Sequence, residues 1–302
     1  MKYIKPPLTI EQQIKLLSEQ GLIIDDNAVA EHVLATVGYY RLSGYLLPFK
    51  EAHNSHSRRI FKPEITFSKV WSHYQFDGEL RLLIMDAIEK IEVAFRAAIT
   101  NVTSLKFDPF WYVDKTYYRD VKPYNLLMRN VDKIIKDKHT IFIRHYLEKY
   151  DHPPYPPLWM IIETLSFGVC SKLFKNIKKV SIRKEIAAIF GQNTTILESW
   201  IQTLTFVRNI CAHHARLWNQ WLVNAPLIPK KSSLHSEMQS KNRHIIVVIY
   251  ILTDLLKTIS PENLWVQKIY TLLEQYDEII NYQGMGFGED WKNETLWKLA
   301  NQ

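Results

Sequence analysis

The chain has 302 residues, 47% of them hydrophobic and 23% charged. That balance supports a real core and excludes a chain disordered by composition. The 38 basic residues outnumber the 31 acidic ones, for a net charge of +7, which fits a phosphate-bearing partner without requiring one. With 2 cysteines there is no disulfide framework, and the surroundings read as intracellular.

The start, MKYIKPPLT, has no apolar core of the kind a signal peptide needs. The most apolar stretch, Ile245 to Leu252, is too short to span a bilayer. A cytoplasmic protein with no membrane partner is expected.

Thr9 to Gln20 reads as a short capped helix that Gly21 stops, with Gln12 three residues after Thr9. A second helix is expected from about Asn27 to Val37. The aromatic stretch from Gly38 to Phe49 is expected to pack against something larger. Residues 51–60, with His53, His56, Arg58 and Arg59, read as an exposed loop without metal-ligand spacing. The strongest helix signal lies between Phe67 and Leu105, where apolar residues recur every three or four positions. Its length predicts the backbone of a helical bundle.

Asp108-Pro109 marks a break. Helices are expected from Tyr124 to Lys138 and Ile141 to Lys149. A stiff proline-rich connector leads into one helix from Leu158 to Ile177. Ser181 to Phe190, Thr194 to about Asn219, Arg243 to Ile259 and Glu262 to Tyr276 complete the series, before a glycine-rich tail at Gly284 to Gly288. The fold class is therefore all-α, with neither internal repeats nor a low-complexity linker. Basic blocks stand at Lys172 to Lys179, Arg183 to Lys184 and Lys230 to Lys231, and such runs ordinarily form solvated faces.

One string carries candidate chemistry: Arg208-Asn209-Ile210-Cys211-Ala212-His213-His214-Ala215-Arg216-Leu217-Trp218-Asn219. Cleaving RNA without a metal needs a group that moves protons near neutral pH, which suits histidine. It also needs a cation for the charge that grows on phosphorus, which suits arginine. On a straight helix Asn209, His213 and Arg216 share a face. Arg208 and His213 stand about 140° apart. Either Arg208 reaches round, or the helix is distorted, or a second subunit completes the pair. An Arg–four–His spacing is expected by chance roughly 0.4 times in such a chain, and about once when four to six intervening residues are allowed, so the longer string holds the information. The bland alternative is a basic rim at a helix end.

The strings Gly21-Leu22-x-Ile24, Gly38-Tyr39-Tyr40-Arg41-Leu42-Ser43-Gly44-Tyr45, Tyr74-x-Phe76-Asp77, Ile91-Glu92 with Arg96, Pro157-Leu158-Trp159, Leu165-Ser166-Phe167-Gly168, the Arg208–Asn219 string and Met285-Gly286-Phe287 occur together. The chain thereby resembles the AbiD/AbiF-type abortive-infection proteins of bacteria, in the HEPN superfamily of ribonucleases. The resemblance implies a HEPN-type helical bundle at 66–222, an N-terminal helical arm at 1–60 and a C-terminal helical segment at 223–302. It implies a toxin, an endoribonuclease with an Arg-x4-His site of Arg208, Asn209 and His213, and His214 as an alternative histidine. It further implies no cofactor or metal, an RNA substrate, a small regulatory RNA as antitoxin, and a homodimer that joins two motifs. A module that binds RNA or protein without catalysis is the alternative.

Other residues have plainer readings. Glu92 and Arg96 are expected to form a salt bridge on the surface or between helices, with a supporting pair as the lesser reading. Glu163, among apolar neighbours, is a candidate for partial burial with a motif arginine as one possible partner. Arg216 is a further basic candidate. Cys211, Trp218 and Trp221 are expected to pack in the core, and Arg41 and Tyr45 to be structural.

Overall fold

Forty residues, Phe67–Lys106, form one helix along the middle of the molecule. The Thr66 hydroxyl caps it by accepting from the Lys69 amide. Phe76, Leu80, Ile84, Ile88, Ile91, Phe95 and Ile99 bury one continuous stripe, as their spacing predicts. The computed structural model describes residues 6–51, 60–230, 235–294 and 296–297. Most of the expected loop at 51–60, with its two histidines and two arginines, lies outside the described residues, as does Lys231.

In chain order the helices are α1 (Ile10–Glu19), α2 (Asn27–Thr36), α3 (Tyr39–Leu46), α4 (Phe67–Lys106), α5 (Val121–Asp137), α6 (Ile141–Lys149) and α7 (Leu158–Thr164). Then come α8 (Phe167–Asn176), α9 (Val180–Ile189), α10 (Thr194–Ala212), α11 (His235–Ser240), α12 (Ile245–Ile259), α13 (Trp265–Gln275) and α14 (Tyr282–Met285). No strand occurs among the described residues, only isolated bridges such as that between Tyr118 and Ile177. The protein is an all-α helical bundle, as expected from sequence.

Local signals fix most boundaries. At α1, Thr9 and Gln12 exchange both bonds of a capping box. Asp120 caps α5 earlier than expected, because Pro123 is tolerated within the first turn. The aromatic stretch is itself helical: α3 buries Leu42, Tyr45 and Leu46 against α4.

Two long helices expected from sequence are shorter in the fold. The segment 158–177 breaks into α7 and α8, where the Ser166 hydroxyl accepts from the Val169 amide and starts a new helix. The Arg96 side chain of α4 donates to the carbonyls of Glu163 and Leu165, so the broken end has partners. The segment 194–219 leaves the helix at Ala212, for reasons given below.

α4 packs against α3, α7, α8, α9, α10, α12 and α13. α12 is buried on nearly every side and wedges beside α4 and α10, which explains its run of aliphatic residues. No described helix is long and apolar enough to cross a membrane. Buried indoles lock parts of this packing: Trp200 donates to the Leu227 carbonyl at 2.8 Å and Trp265 to that of Leu83 at 2.6 Å.

Candidate active site

The apolar side of α10, with Leu204, Val207 and Cys211, faces the core. That orientation leaves Arg208 half-buried and Asn209 exposed. Burial pushes the Cys211 thiol up to about 12, so it packs as a small apolar residue, as expected.

Beyond Ala212 the backbone is held by α3 and α4. His213 is the C-terminal cap, and its amide still donates to the Asn209 carbonyl at 3.0 Å. His214 turns the chain with a left-handed φ of 53°. The Arg41 guanidinium then donates to the His214 carbonyl at 2.6 Å. Asp77 accepts from the Leu217 amide at 3.1 Å and the Trp218 amide at 2.5 Å. Tyr45 donates its hydroxyl to the same carboxylate at 2.5 Å, and Arg81 pairs with it from one turn along α4. Arg81 also reaches the Ala215 carbonyl at 3.5 Å.

Asp77 is fully buried. Burial pushes its carboxyl above the usual value, while Arg81, Tyr45 and the two amides favour the anion. Burial, with the neighbouring Asp77, likewise raises the Tyr45 phenol. These bonds compete with continued helix, and they explain why α10 stops. Tyr45 and Arg41 are structural here, as expected. Trp218 is buried beneath the turn, stacked on Phe49 at 6.0 Å. Trp221, expected in the core, is 56% exposed beside His244 and Arg243, because the chain has already left the helix by then.

Earlier on α10, Arg208 turns toward α4. Its Nε lies 3.9 Å from a Glu92 carboxylate oxygen, and its guanidinium makes no hydrogen bond among the described residues. The other oxygen of Glu92 binds Arg96. Glu92 and Arg96 are only 14% and 13% exposed, so the pair is not the surface or interhelical bridge expected but an in-helix support. A shallow pocket of about 320 Å³ opens there, lined by Arg208, Glu92, Arg96, Met85, Glu89 and Val93. A larger depression of about 720 Å³ between α1 and α2 holds none of the motif residues.

The candidate residues are therefore distributed as follows. Arg208 sits against α4, and Asn209, His213 and His214 are exposed at the end of α10. Arg216 is off the helix, donating to the Gly44 carbonyl at 2.7 Å, so it does not share a face with His213 as a straight helix would have it. Glu163 is 55% exposed and lies 3.7 Å from Arg96; neither its expected burial nor its pairing with a motif arginine is present. The early end of α7 puts that side chain at a helix terminus, outside the core. Among the described residues no group of three or more His, Cys, Asp or Glu could hold a metal ion. Sequence reasoning assigned no role to Asp77 and Arg81. Their signal was visible: two charged residues within the buried stripe of α4, flanked by Phe76, Leu80 and Ile84.

Residues 32–219, from α2 to the end of the clamped turn, match the family described as Abi-like protein. That is more than half of the chain, and the chain belongs to this family, which connects it with abortive infection. Both the Asp77 clamp and the Glu92–Arg208 contact fall inside the matched segment. No curated protein and no solved structure matches the chain.

Proposed function

We propose that the protein is a metal-independent endoribonuclease of HEPN type, a toxin of the AbiD/AbiF kind that acts in abortive infection. The observation that carries this reading is the end of α10. An exposed imidazole, His213, stands on backbone fixed by a buried carboxylate, while Arg208 on the same helix keeps unused donors toward a pocket.

The chemistry follows from those groups. The ribose 2′-oxygen attacks phosphorus and gives its proton to an imidazole. Arg208 stabilises the charge on the phosphorane. The bond from phosphorus to the 5′-oxygen breaks, and that oxygen takes a proton from an imidazolium, so that one proton is taken and one returned. The products are a 2′,3′-cyclic phosphate and a 5′-hydroxyl. Asn209, one residue from Arg208 and one turn from His213, orients the phosphate.

Within one chain Arg208 and His213 leave α10 in different directions. A second copy brings two motifs to one phosphodiester, and so the active form is a homodimer. Val93, exposed where it lines the Arg208 pocket, and Leu82, exposed further along α4, supply apolar surface for that contact.

The test is purified protein with single-stranded RNA in EDTA. Cleavage to 5′-hydroxyl ends is expected, and His213→Ala abolishes it. Cleavage that persists when His213 and His214 are both alanine removes the proposed role. A monomer that cleaves at full rate removes the shared site.

A further inference from the structure

The sequence places a run of lysines between Lys172 and Lys179, and the fold adds to it from a second segment. Residues 115–122 lie across the end of α8. The Lys178 amide donates to the Tyr117 carbonyl at 2.8 Å, and the Arg119 amide to the Asn176 carbonyl at 2.9 Å. The Asn176 side chain, itself buried, bonds the Asp120 amide and carbonyl at 2.9 and 2.8 Å. Residues some 56 positions apart are thereby locked side by side.

The lock sets Arg119, whose guanidinium also donates to the Lys175 carbonyl at 3.5 Å, beside Lys175 and Lys178, with Lys122, Lys172 and Lys179 close by along the chain, so that six exposed cations form a rim. None of the six takes part in an ion pair among the described residues. Two acids in or next to that segment bond backbone and none of the six cations: Asp114 accepts from the Thr116 amide at 2.8 Å and Asp120 from the Lys122 amide at 2.9 Å. Arg183, by contrast, is buried and paired with Glu198 at 2.8 Å, so the neighbouring basic block does not extend the rim as its sequence suggests.

We propose that this rim holds the sugar-phosphate backbone of the RNA strand whose scissile bond lies at Arg208. The identity of the strand rests on the ribonuclease reading above. α8 sets the distance between the two places. α8 begins beside Leu165, whose carbonyl Arg96 holds, and Arg96 shares Glu92 with Arg208. The ten residues of α8 run from there to the rim over about 15 Å. Six cations outside any ion pair among the described residues match a polyanion of regular charge, whereas Val121 and Val180, the exposed large aliphatic residues beside them, are too few for the apolar wedge that a membrane surface requires.

The experiment uses full-length His213→Ala protein, so that binding is read without cleavage, and a fluorescent single-stranded RNA oligonucleotide. Adding Lys175→Gln, Lys178→Gln and Lys179→Gln weakens binding by about tenfold at low salt. It also makes the plot of log affinity against log salt shallower by about 2. A control with Lys15, Lys257 and Lys268 changed to Gln, equal in charge but elsewhere, stays within about twofold. A second variant, Arg119→Gln with Lys122→Gln, repeats the loss from the other segment of the rim.

An unchanged affinity and slope, or an equal loss in the control, overturns the proposal even where protein with intact histidines cleaves RNA. Weakened binding in protein that never cleaves RNA sustains the rim and removes the ribonuclease reading instead. A triple variant that loses binding to phosphatidylserine vesicles while holding RNA as before overturns the rim in favour of a lipid surface.

Discussion

α4 carries two acid–arginine pairs of the same spacing, Asp77 with Arg81 and Glu92 with Arg96, and the fold uses them differently. Asp77 is sealed and saturated: it receives Arg81, a phenol and two amides of the turn after α10. Glu92 is half-committed: one oxygen binds Arg96, and the other faces Arg208 without a hydrogen bond. About 22 Å of helix separates the pairs. The end of α10 and the turn after it run antiparallel to α4, from Glu92 toward Asp77. One pair therefore fixes where the exposed histidines stand. The other keeps a cation poised beside a pocket.

The contrast is broken most directly at its sealed end. Asp77→Ala strands the Arg81 guanidinium and leaves the Leu217 and Trp218 amides unpaired. A loss of about 3–5 kcal/mol is expected, the range for removing one member of a buried pair. Denaturant unfolding measures it. A loss below about 1 kcal/mol shows that the turn does not depend on the clamp. Arg96→Ala comes next, because it frees the carbonyls of Glu163 and Leu165 at the break between α7 and α8. About 1–3 kcal/mol is expected, since those carbonyls can reach water once the side chain is gone. A loss equal to that of Asp77→Ala erases the ranking of the two pairs.

Glu92→Gln sharpens the comparison by separating stability from activity. The glutamine keeps a partner for Arg96 and loses the charge that faces Arg208. Stability changes by about 1 kcal/mol, the net worth of one hydrogen bond, because the glutamine still accepts from Arg96, which keeps its two carbonyl partners. RNA cleavage, on the ribonuclease reading, falls at least about tenfold because the guanidinium loses its orientation. Unfolding curves and initial rates on one preparation decide it, and a parallel change in both, or none in either, counts against a poised arginine.

How legible the two pairs were in sequence follows from their distance scale. Periodicity exposed α4 and its buried stripe, because a 40-residue helix repeats its signal many times. The Arg208–Asn219 string was legible as residues but not as a conformation. Its helix continues in pattern through Arg216, yet tertiary bonds from Arg41, Asp77 and Arg81 end it at Ala212. Those partners lie more than 130 positions away, where no local window reaches. The break at Leu165 was missed for the same reason, since Arg96 pulls on its carbonyl from α4. Glu163 misled because its apolar neighbours point inward while it sits at the terminus the break creates.

The smallest expected effect lies next to the clamp and concerns pH. His73 stands one turn before Asp77 on α4, buried between Phe49 and Trp218, with ring centroids 4.9 and 4.6 Å away. Its Nδ1 lies 2.7 Å from the Lys69 carbonyl. Burial pulls the imidazole below its ordinary value of 6.5, outweighing the backbone bonds that favour the cation. In the window between that lowered value and 6.5, the unfolded chain binds a proton that the folded chain refuses. Its contribution is therefore complete above 6.5 and is lost as the pH falls through that window. The slope it adds is at most about 1.4 kcal/mol per pH unit. His73→Gln keeps a donor for the Lys69 carbonyl and removes the titration. Thermal midpoints of the two proteins, compared from neutral to mildly acidic pH, draw together as the pH falls. If the gap instead stays constant or widens, His73 is not held neutral by its burial, and water reaches the sealed end of α4 as freely as it reaches the open one.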